Sequence, residues 1–167
     1  EDTDQVIRIK ERYGFRPQFA RNHLQINNGD TTFSDLALQT KTFATDWSWG
    51  VLLADFDNDG WNDIFVPNGI VKRPNDLDYI NYLSNTNYSQ FEQTKKDKIR
   101  KKIINEMPTL EIPNLLIHNK GKLGFESIEK SAIGTPGYTT GAAYSDLDND
   151  GDLDLILNNI ETPAQIS

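Results

Sequence analysis

Apolar residues in this chain come in short runs broken by Asn, Asp and Gly. One run around Leu24 and Ile26 stops at Asn27-Asn28-Gly29 and resumes at Phe33, and another at Leu115-Leu116-Ile117 stops at Asn119-Lys120-Gly121 and resumes at Phe125. Each reads as a hairpin of two short strands. Val51-Leu52-Leu53-Ala54 and Ile64-Phe65-Val66 flank one acidic loop, while Ala142-Ala143-Tyr144 and the stretch from Leu153 to Leu157 flank another, which adds two strands to each unit. Between the units, from Val71 to Ile112, the period becomes helical. Asn75 or Asp76 can cap a short helix with Leu77, Ile80 and Leu83 on one face, and a stretch from Gln90 to Met107 sets Phe91, Ile99, Ile103 and Met107 near one stripe. Pro108 and Pro113 end it. The opening stretch from Thr3 to Tyr13, with Val6, Ile7 and Ile9, has the same amphipathic character.

The units are copies. The segment from Gly50 to Asp55 aligns with that from Gly141 to Asp146 at an offset of 91, and the segment from His23 to Phe33 aligns with that from Leu115 to Phe125 at an offset of 92. Four short strands per unit is the pattern of a β-propeller blade. Such a blade usually takes roughly 40 to 50 residues, so the longer period here implies an insertion. The expected fold is mainly β, two blades with an α-helical insertion between them, α+β by content. The expected divisions are a helical lead-in over 1–20, a first β repeat over 21–70, the insertion over 71–112 and a second β repeat over 113–162. The whole reads as a fragment of a longer propeller.

The two acidic loops carry the chemistry. DFDNDGWND runs from Asp55 to Asp63 and DLDNDGDLD from Asp146 to Asp154, each with Asp at positions one, three, five and nine and Gly at six. In a tight coil alternate side chains point inward, so Asp55, Asp57 and Asp59 converge while Phe56 and Asn58 face away. Gly60 can take the positive φ that reverses the backbone, which turns the carbonyl of Trp61 inward and brings Asp63 up as a closing ligand. Asp146, Asp148, Asp150, the carbonyl of Asp152 and Asp154 repeat the set. Both approach the roughly six to eight oxygens that calcium takes. An EF-hand needs Glu at the twelfth position, where Val66 and Leu157 stand here. Zinc is set aside because neither loop holds His or Cys, and magnesium is the weaker fit because it demands a smaller octahedral site. The competing reading is a solvated Asp/Asn/Gly turn, which two copies in matched contexts disfavour.

The charge follows the loops. The chain carries 25 acidic and 17 basic residues for a net charge of -8, and the loops hold nine of the acids, leaving 16 against 17. The acidity is therefore local, and no basic patch suits nucleic acid. The Lys-rich run from Lys95 to Lys102 is broken by Asp97 and Ile99 and reads as the wet face of a helix. Hydrophobic content of 37% over 167 residues is ordinary for a globular protein. No apolar run approaches the roughly 18 residues that span a bilayer. Cysteine is absent, which excludes disulfides and thiolate chemistry. Calcium loops suit compartments rich in calcium, so the expected address is extracytoplasmic: cell surface, outer membrane or secreted.

These residues resemble the FG-GAP or VCBS repeat of integrin-α-like propellers, whose hallmark is a D-x-D-x-D-G-x-x-D calcium hairpin. Asn28-Gly29-Asp30 followed by Thr32-Phe33, then the segments from Thr45 to Gly50, from Ala54 to Gly69 and from Gly141 to Asn159, are similar in finer detail to bacterial ASPIC/UnbV-associated proteins, relatives of cartilage acidic protein. The resemblance spans about 21–69 and 114–160 and implies a calcium-stabilised, exported propeller. Trp49-Gly50 and Thr140-Gly141 stand where integrins carry Phe-Gly.

Other residues have blander readings. Trp47 and Trp49 share a strand face and Trp61 lies in the first loop; packing between sheets is expected over a stacking platform for sugar or peptide. His23 and His118 are expected on strands beside apolar neighbours, without an acidic or Ser partner at telling distance, which suggests structural or solvent-facing roles. Tyr79, Tyr82 and Tyr88 could supply an interface or simply pack. Three functions remain open: a noncatalytic calcium-bound scaffold recognising an extracellular protein or glycan, a fragment of a propeller hydrolase or lyase with Asp46 or Asp78 as the first acids to mutate, and a purely structural blade module. The expected partners are neighbouring blades of the same longer chain, and exposed sheet edges predict self-association of the fragment.

Overall fold

The computed structural model describes residues 4–16, 19–74, 76, 79, 93–128, 133 and 136–167. It is mainly β, with antiparallel sheets and few helices. The chain divides into two compact units, Glu1–Ala44 and Thr45–Ser167.

The first unit holds helix α1 (Asp4–Arg12) and a hairpin of β1 (Gln25–Asn27) and β2 (Phe33–Asp35). The helix forms where the amphipathic pattern predicts it, although Val6, Ile7 and Ile9 stay exposed. The hairpin turn is held by short polar side chains: Asn27 Oδ1 accepts the Gly29 N–H at 2.8 Å and Asp30 Oδ1 accepts the Thr32 N–H at 3.0 Å. Gly29 takes φ 78°, the left-handed conformation the turn needs.

The second unit contains two sheets. One has the order β3 (Leu52–Ala54), β4 (Asp63–Val66), β5 (Leu115–Asn119), β6 (Phe125–Ile128), and the other β7 (Tyr138–Ser145), β8 (Asp154–Ile160), β9 (Gln165–Ile166). Every residue of β4 is buried, as its unbroken apolar run requires. Phe65 and Leu116 from the first sheet and Leu155 and Leu157 from the second form one core, with Leu52, Phe56, Ile133 and Ala142 packed against it. Phe56 meets Phe65 and Tyr144 edge-on, with centroid separations of 6.4 and 5.8 Å. The first acidic loop thus seats one of its own side chains in the core.

The repeat offsets reappear in strand register. Asn27 opposes Phe33 as Asn119 opposes Phe125, and Ala54 opposes Asp63 as Ser145 opposes Asp154. The sheets, however, do not follow the repeat units read from the sequence. The four-stranded sheet joins the loop-bearing pair of one repeat to the hairpin of the next, because β4 pairs with β5 across the whole insertion. Backbone hydrogen bonding sets that grouping.

The insertion leaves and re-enters the sheet between its second and third strands. Its described helix, α2 (Gln93–Glu106), lies within the expected stretch from Gln90 to Met107. Lys72 Nζ donates to the carbonyls of Asn105 and Met107 at 3.4 and 3.3 Å, so a cation meets the carbonyl end of α2. The Arg73 N–H donates to the Pro108 carbonyl and the Asn68 N–H to Asn114 Oδ1, which pins both ends of the insertion together. Asp76 Oδ1 accepts the Tyr79 N–H at 2.9 Å, the bond of an N-cap, and the buried Tyr79 donates its hydroxyl to the Ile103 carbonyl. Asn75, Leu77, Asp78, Ile80, Tyr82, Leu83, Tyr88 and Phe91 lie outside the described residues. No described helix is long and apolar enough to cross a membrane.

Candidate metal centres

The two acidic loops wind alike and share four amide-to-carboxylate hydrogen bonds. Asp55 Oδ1 accepts the Asp59 N–H and its Oδ2 the Gly60 N–H, at 3.0 and 2.8 Å; Asp146 takes the Asp150 and Gly151 N–H groups at 3.2 and 3.1 Å. Asp57 and Asp148 each accept from the residue two positions on, at 3.3 Å in both loops, and Asp59 and Asp150 accept from Trp61 and Asp152 at 2.9 Å in both. Carboxylates drawn onto successive amides wind the backbone into the tight coil that the spacing predicts. Gly60 and Gly151 take φ 91° and 96° with open space around them, and Asn58 and Asn149 take φ 58° and 62°. Asn tolerates that region better than most side chains.

The loops differ in what converges at their centres. In the second, ligand oxygens of Asp146, Asp148 and Asp154 lie within 4.8 Å of one another. The crowding acts on Asp148: the charge of Asp150, then burial, then Asp154 and Asp146 push its carboxyl above the ordinary aspartate range, against the pull of its bond from the Asp150 N–H. An all-oxygen set under mutual repulsion suits a hard cation. Asp154 also accepts the Leu147 N–H at 2.8 Å, which holds the closing residue in place. Asp150 stands outside the converging group. Asp152 turns its carboxylate to Asn58, whose amide donates to it at 2.6 Å, so the two loops touch.

In the first loop the converging group is Asp57, Asp59 and His118. Asp55 stands outside that group, although it holds the same pair of loop amides as Asp146 does in the second loop. Asp63, expected as the closing ligand, is 1% exposed; its Oδ1 accepts the Asn119 N–H at 2.8 Å and faces His118 Nδ1 at 3.2 Å. Trp61 turns its indole onto the next hairpin, where a Cβ on Gly121 would meet the ring at 2.9 Å.

Three sequence expectations need correction here. His118 has acidic partners after all: its Nδ1 lies 3.1 Å from Asp57 Oδ2, and its Nε2 lies 3.9 Å from Asp59 Oδ2. The loop itself holds neither His nor Cys, and His118 arrives from β5. It directly follows the Ile64–Ile117 pair along the ladder and so sits beside Asp63. Counting back from the turn that aligns Asn119 with Asn27 would have exposed this signal, given the β4–β5 pairing. His23 likewise meets an acid, with Nδ1 2.7 Å from Asp35 Oδ2. Finally, Trp49 and Trp61 are each 51% exposed rather than packed between sheets. Trp49 instead donates its indole N–H to the Gly69 carbonyl at 2.5 Å.

Asp46, named above as a candidate catalytic acid, is occupied: Arg73 Nη2 donates to its Oδ1 at 2.6 Å. Near the first loop Phe56, Asp57, Asp63, Leu116, His118 and Leu155 help line a cavity of about 180 Å³.

Residues 13–66 match the family described as FG-GAP-like repeat. That span covers the first hairpin, the first acidic loop and β4, the segment that carries a propeller-like repeat. No curated protein matches the chain.

Proposed function

We propose that this chain is a calcium-binding, noncatalytic β-propeller repeat module of an exported or cell-surface protein, a scaffold for recognition of a protein or glycan, closest in pattern to ASPIC/UnbV-associated proteins. The observation that carries the reading is a pair of loops with four matching amide-to-carboxylate hydrogen bonds, together with the drawing of Asp146, Asp148 and Asp154 of the second loop into a single oxygen cluster. Asp55, Asp57, Asp59, Asp63 and the Trp61 carbonyl would hold the first ion, and Asp146, Asp148, Asp150, Asp154 and the Asp152 carbonyl the second. A bound cation offsets repulsion among carboxylates a few ångströms apart, which costs on the order of a kcal/mol or more, and so joins neighbouring strands. Neighbouring blades of a longer chain are the natural partners of its sheets.

Linkage supplies the test. A ligand that binds only the folded state stabilises it by mass action, by roughly 2.7 kcal/mol at a hundredfold excess over Kd. Millimolar calcium is therefore expected to raise the melting temperature, with Kd of roughly 10⁻⁴ to 10⁻³ M as for other extracellular modules. Calorimetric titration of Asp59→Ala and Asp150→Ala should lose the corresponding site. Melting curves that coincide in calcium and EDTA would sink the proposal.

A further inference from the structure

We infer that Asp46, Trp47, Ser48 and Arg73 form a subsite for one uncharged sugar ring, a neutral hexopyranose that is free or part of a glycan. The inference deepens the recognition role proposed above and rests on it, but it draws on neither acidic loop.

These four residues line an open cleft of about 360 Å³, within the roughly 300–1,000 Å³ of small-molecule sites. Its walls are held by backbone pairing. The Gly69 N–H donates to the Trp47 carbonyl at 3.1 Å, the Trp49 N–H to the Pro67 carbonyl at 3.2 Å, and Ser48 Oγ to Asn68 Oδ1 at 3.0 Å. The Arg73 N–H is tied to the Pro108 carbonyl at 2.9 Å. Walls fixed in this way need little ordering when a ligand enters.

The groups left over are those that a polyol takes. Asp46, at φ 63°, uses Oδ1 for both the Trp47 N–H and Arg73 Nη2, each at 2.6 Å, and its Oδ2 has no partner among the described residues. Arg73 is 16% exposed, and its buried Nε has no partner among the described residues. A guanidinium carries five donors, and donors left unpaired away from water are costly, so the rest of the fork is set to give hydrogen bonds to a ligand oxygen. Trp47 is half-buried, and its indole N–H has no partner among the described residues, whereas that of Trp49 is taken by the Gly69 carbonyl. An accepting carboxylate, a donating guanidinium and an indole match the hydroxyls and the C–H face of a pyranose.

Charge selects the class of sugar. Asp46 and Arg73 neutralise each other, so an anion is repelled by Asp46 and a cation by Arg73, and the uncharged ring is favoured over both. The same cleft does not favour hydrolysis, because glycoside cleavage takes a pair of carboxylates and Asp46 is the one acid among the described lining residues.

The experiment titrates the whole chain, in calcium, with the methyl pyranosides of glucose, galactose and mannose, followed by NMR. Methyl glucuronide and, at slightly acidic pH, methyl glucosaminide serve as charged analogues. At least one neutral glycoside is expected to shift the Trp47 indole N–H to saturation while that of Trp61 stays in place, and to bind several-fold more tightly than either charged analogue. Trp47→Ala should weaken it about tenfold. Asp46→Asn keeps an acceptor and removes the charge, so preference should turn toward the glucuronide; Arg73→Gln should turn it toward the glucosaminide. A merely structural ion pair yields no such inversion. Tighter binding of the matching disaccharide assigns the ligand to a glycan chain and equal binding to a free sugar; both support the subsite. No saturation by any neutral glycoside, shifts at Trp61 alone, or an unchanged charge preference in both variants would overturn the inference. Stabilisation by calcium is measured separately, so its absence tells against the loops and its presence without glycoside binding tells against the cleft alone.

Discussion

Asp35 shows how much one side chain can organise when its neighbours come from different parts of the chain. Its two oxygens receive Arg21 Nη2 at 3.0 Å, His23 Nδ1 at 2.7 Å, and the N–H groups of Leu24 and Ala37 at 3.3 and 3.1 Å. The bond from His23, followed by that from Ala37, holds its carboxyl below the ordinary aspartate range, against some loss of solvation. The sign follows: a group whose folded pKa is depressed adds stability that is present above its unfolded value, about 3.9, and lost as pH falls through the folded value. Acid titration of the 1–44 unit, followed at the Ala37 amide by NMR, is expected to show a loosening limb below about pH 4 that Asp35→Asn removes. An identical limb in the variant would count against the assignment. His23 and His118 make one lesson at this scale. The sequence neighbours of both are apolar, and the acid that each meets is brought up by strand pairing.

At the scale of elements, local chemistry and sheet assembly part company at the glycines. Gly60 and Gly151 serve the loops alone: each has positive φ and open space where a Cβ would stand. Gly69 serves the packing of the second unit. It takes φ 140°, and a Cβ there would sit 2.5 Å from Tyr138 Cα and 2.8 Å from the Gly137 carbonyl oxygen. The close approach lets the Thr139 N–H reach the Asn68 carbonyl at 3.1 Å. Gly69→Ala is therefore expected to cost about 2–4 kcal/mol through strain and forced separation of two backbones, and Gly60→Ala only about 1 kcal/mol, from backbone strain alone. Denaturant midpoints compare the two. Equal losses would show that the approach at Gly69 is not what fixes that part of the fold. The helical insertion belongs to the same scale: its existence was legible from periodicity, but its anchorage by Lys72, Arg73 and Asn114 was not, because those bonds join residues some 33 to 46 positions apart.

For the whole molecule, the sheets leave apolar side chains uncovered. Among the described residues Val51, Leu53, Tyr144, Ile160 and Ile166 are exposed, and β3, β6, β7 and β9 stand at sheet edges. Unpaired strand edges template further pairing, so the isolated chain is expected to self-associate with rising concentration in light scattering coupled to size exclusion; a constant monomer mass over a hundredfold range would refute this. The amino-acid order alone determined the two short hairpins and the tight backbone coil of both acidic loops. Each of those closes within a few residues, and its geometry follows from side chains that bond to their own backbone. Tertiary structure alone decided which strands share a sheet and what faces the first loop. Asp63 and His118 stand 55 positions apart, and only the register of β5 on β4, set by burial of Phe65 and Leu116 in a common core, brings them together.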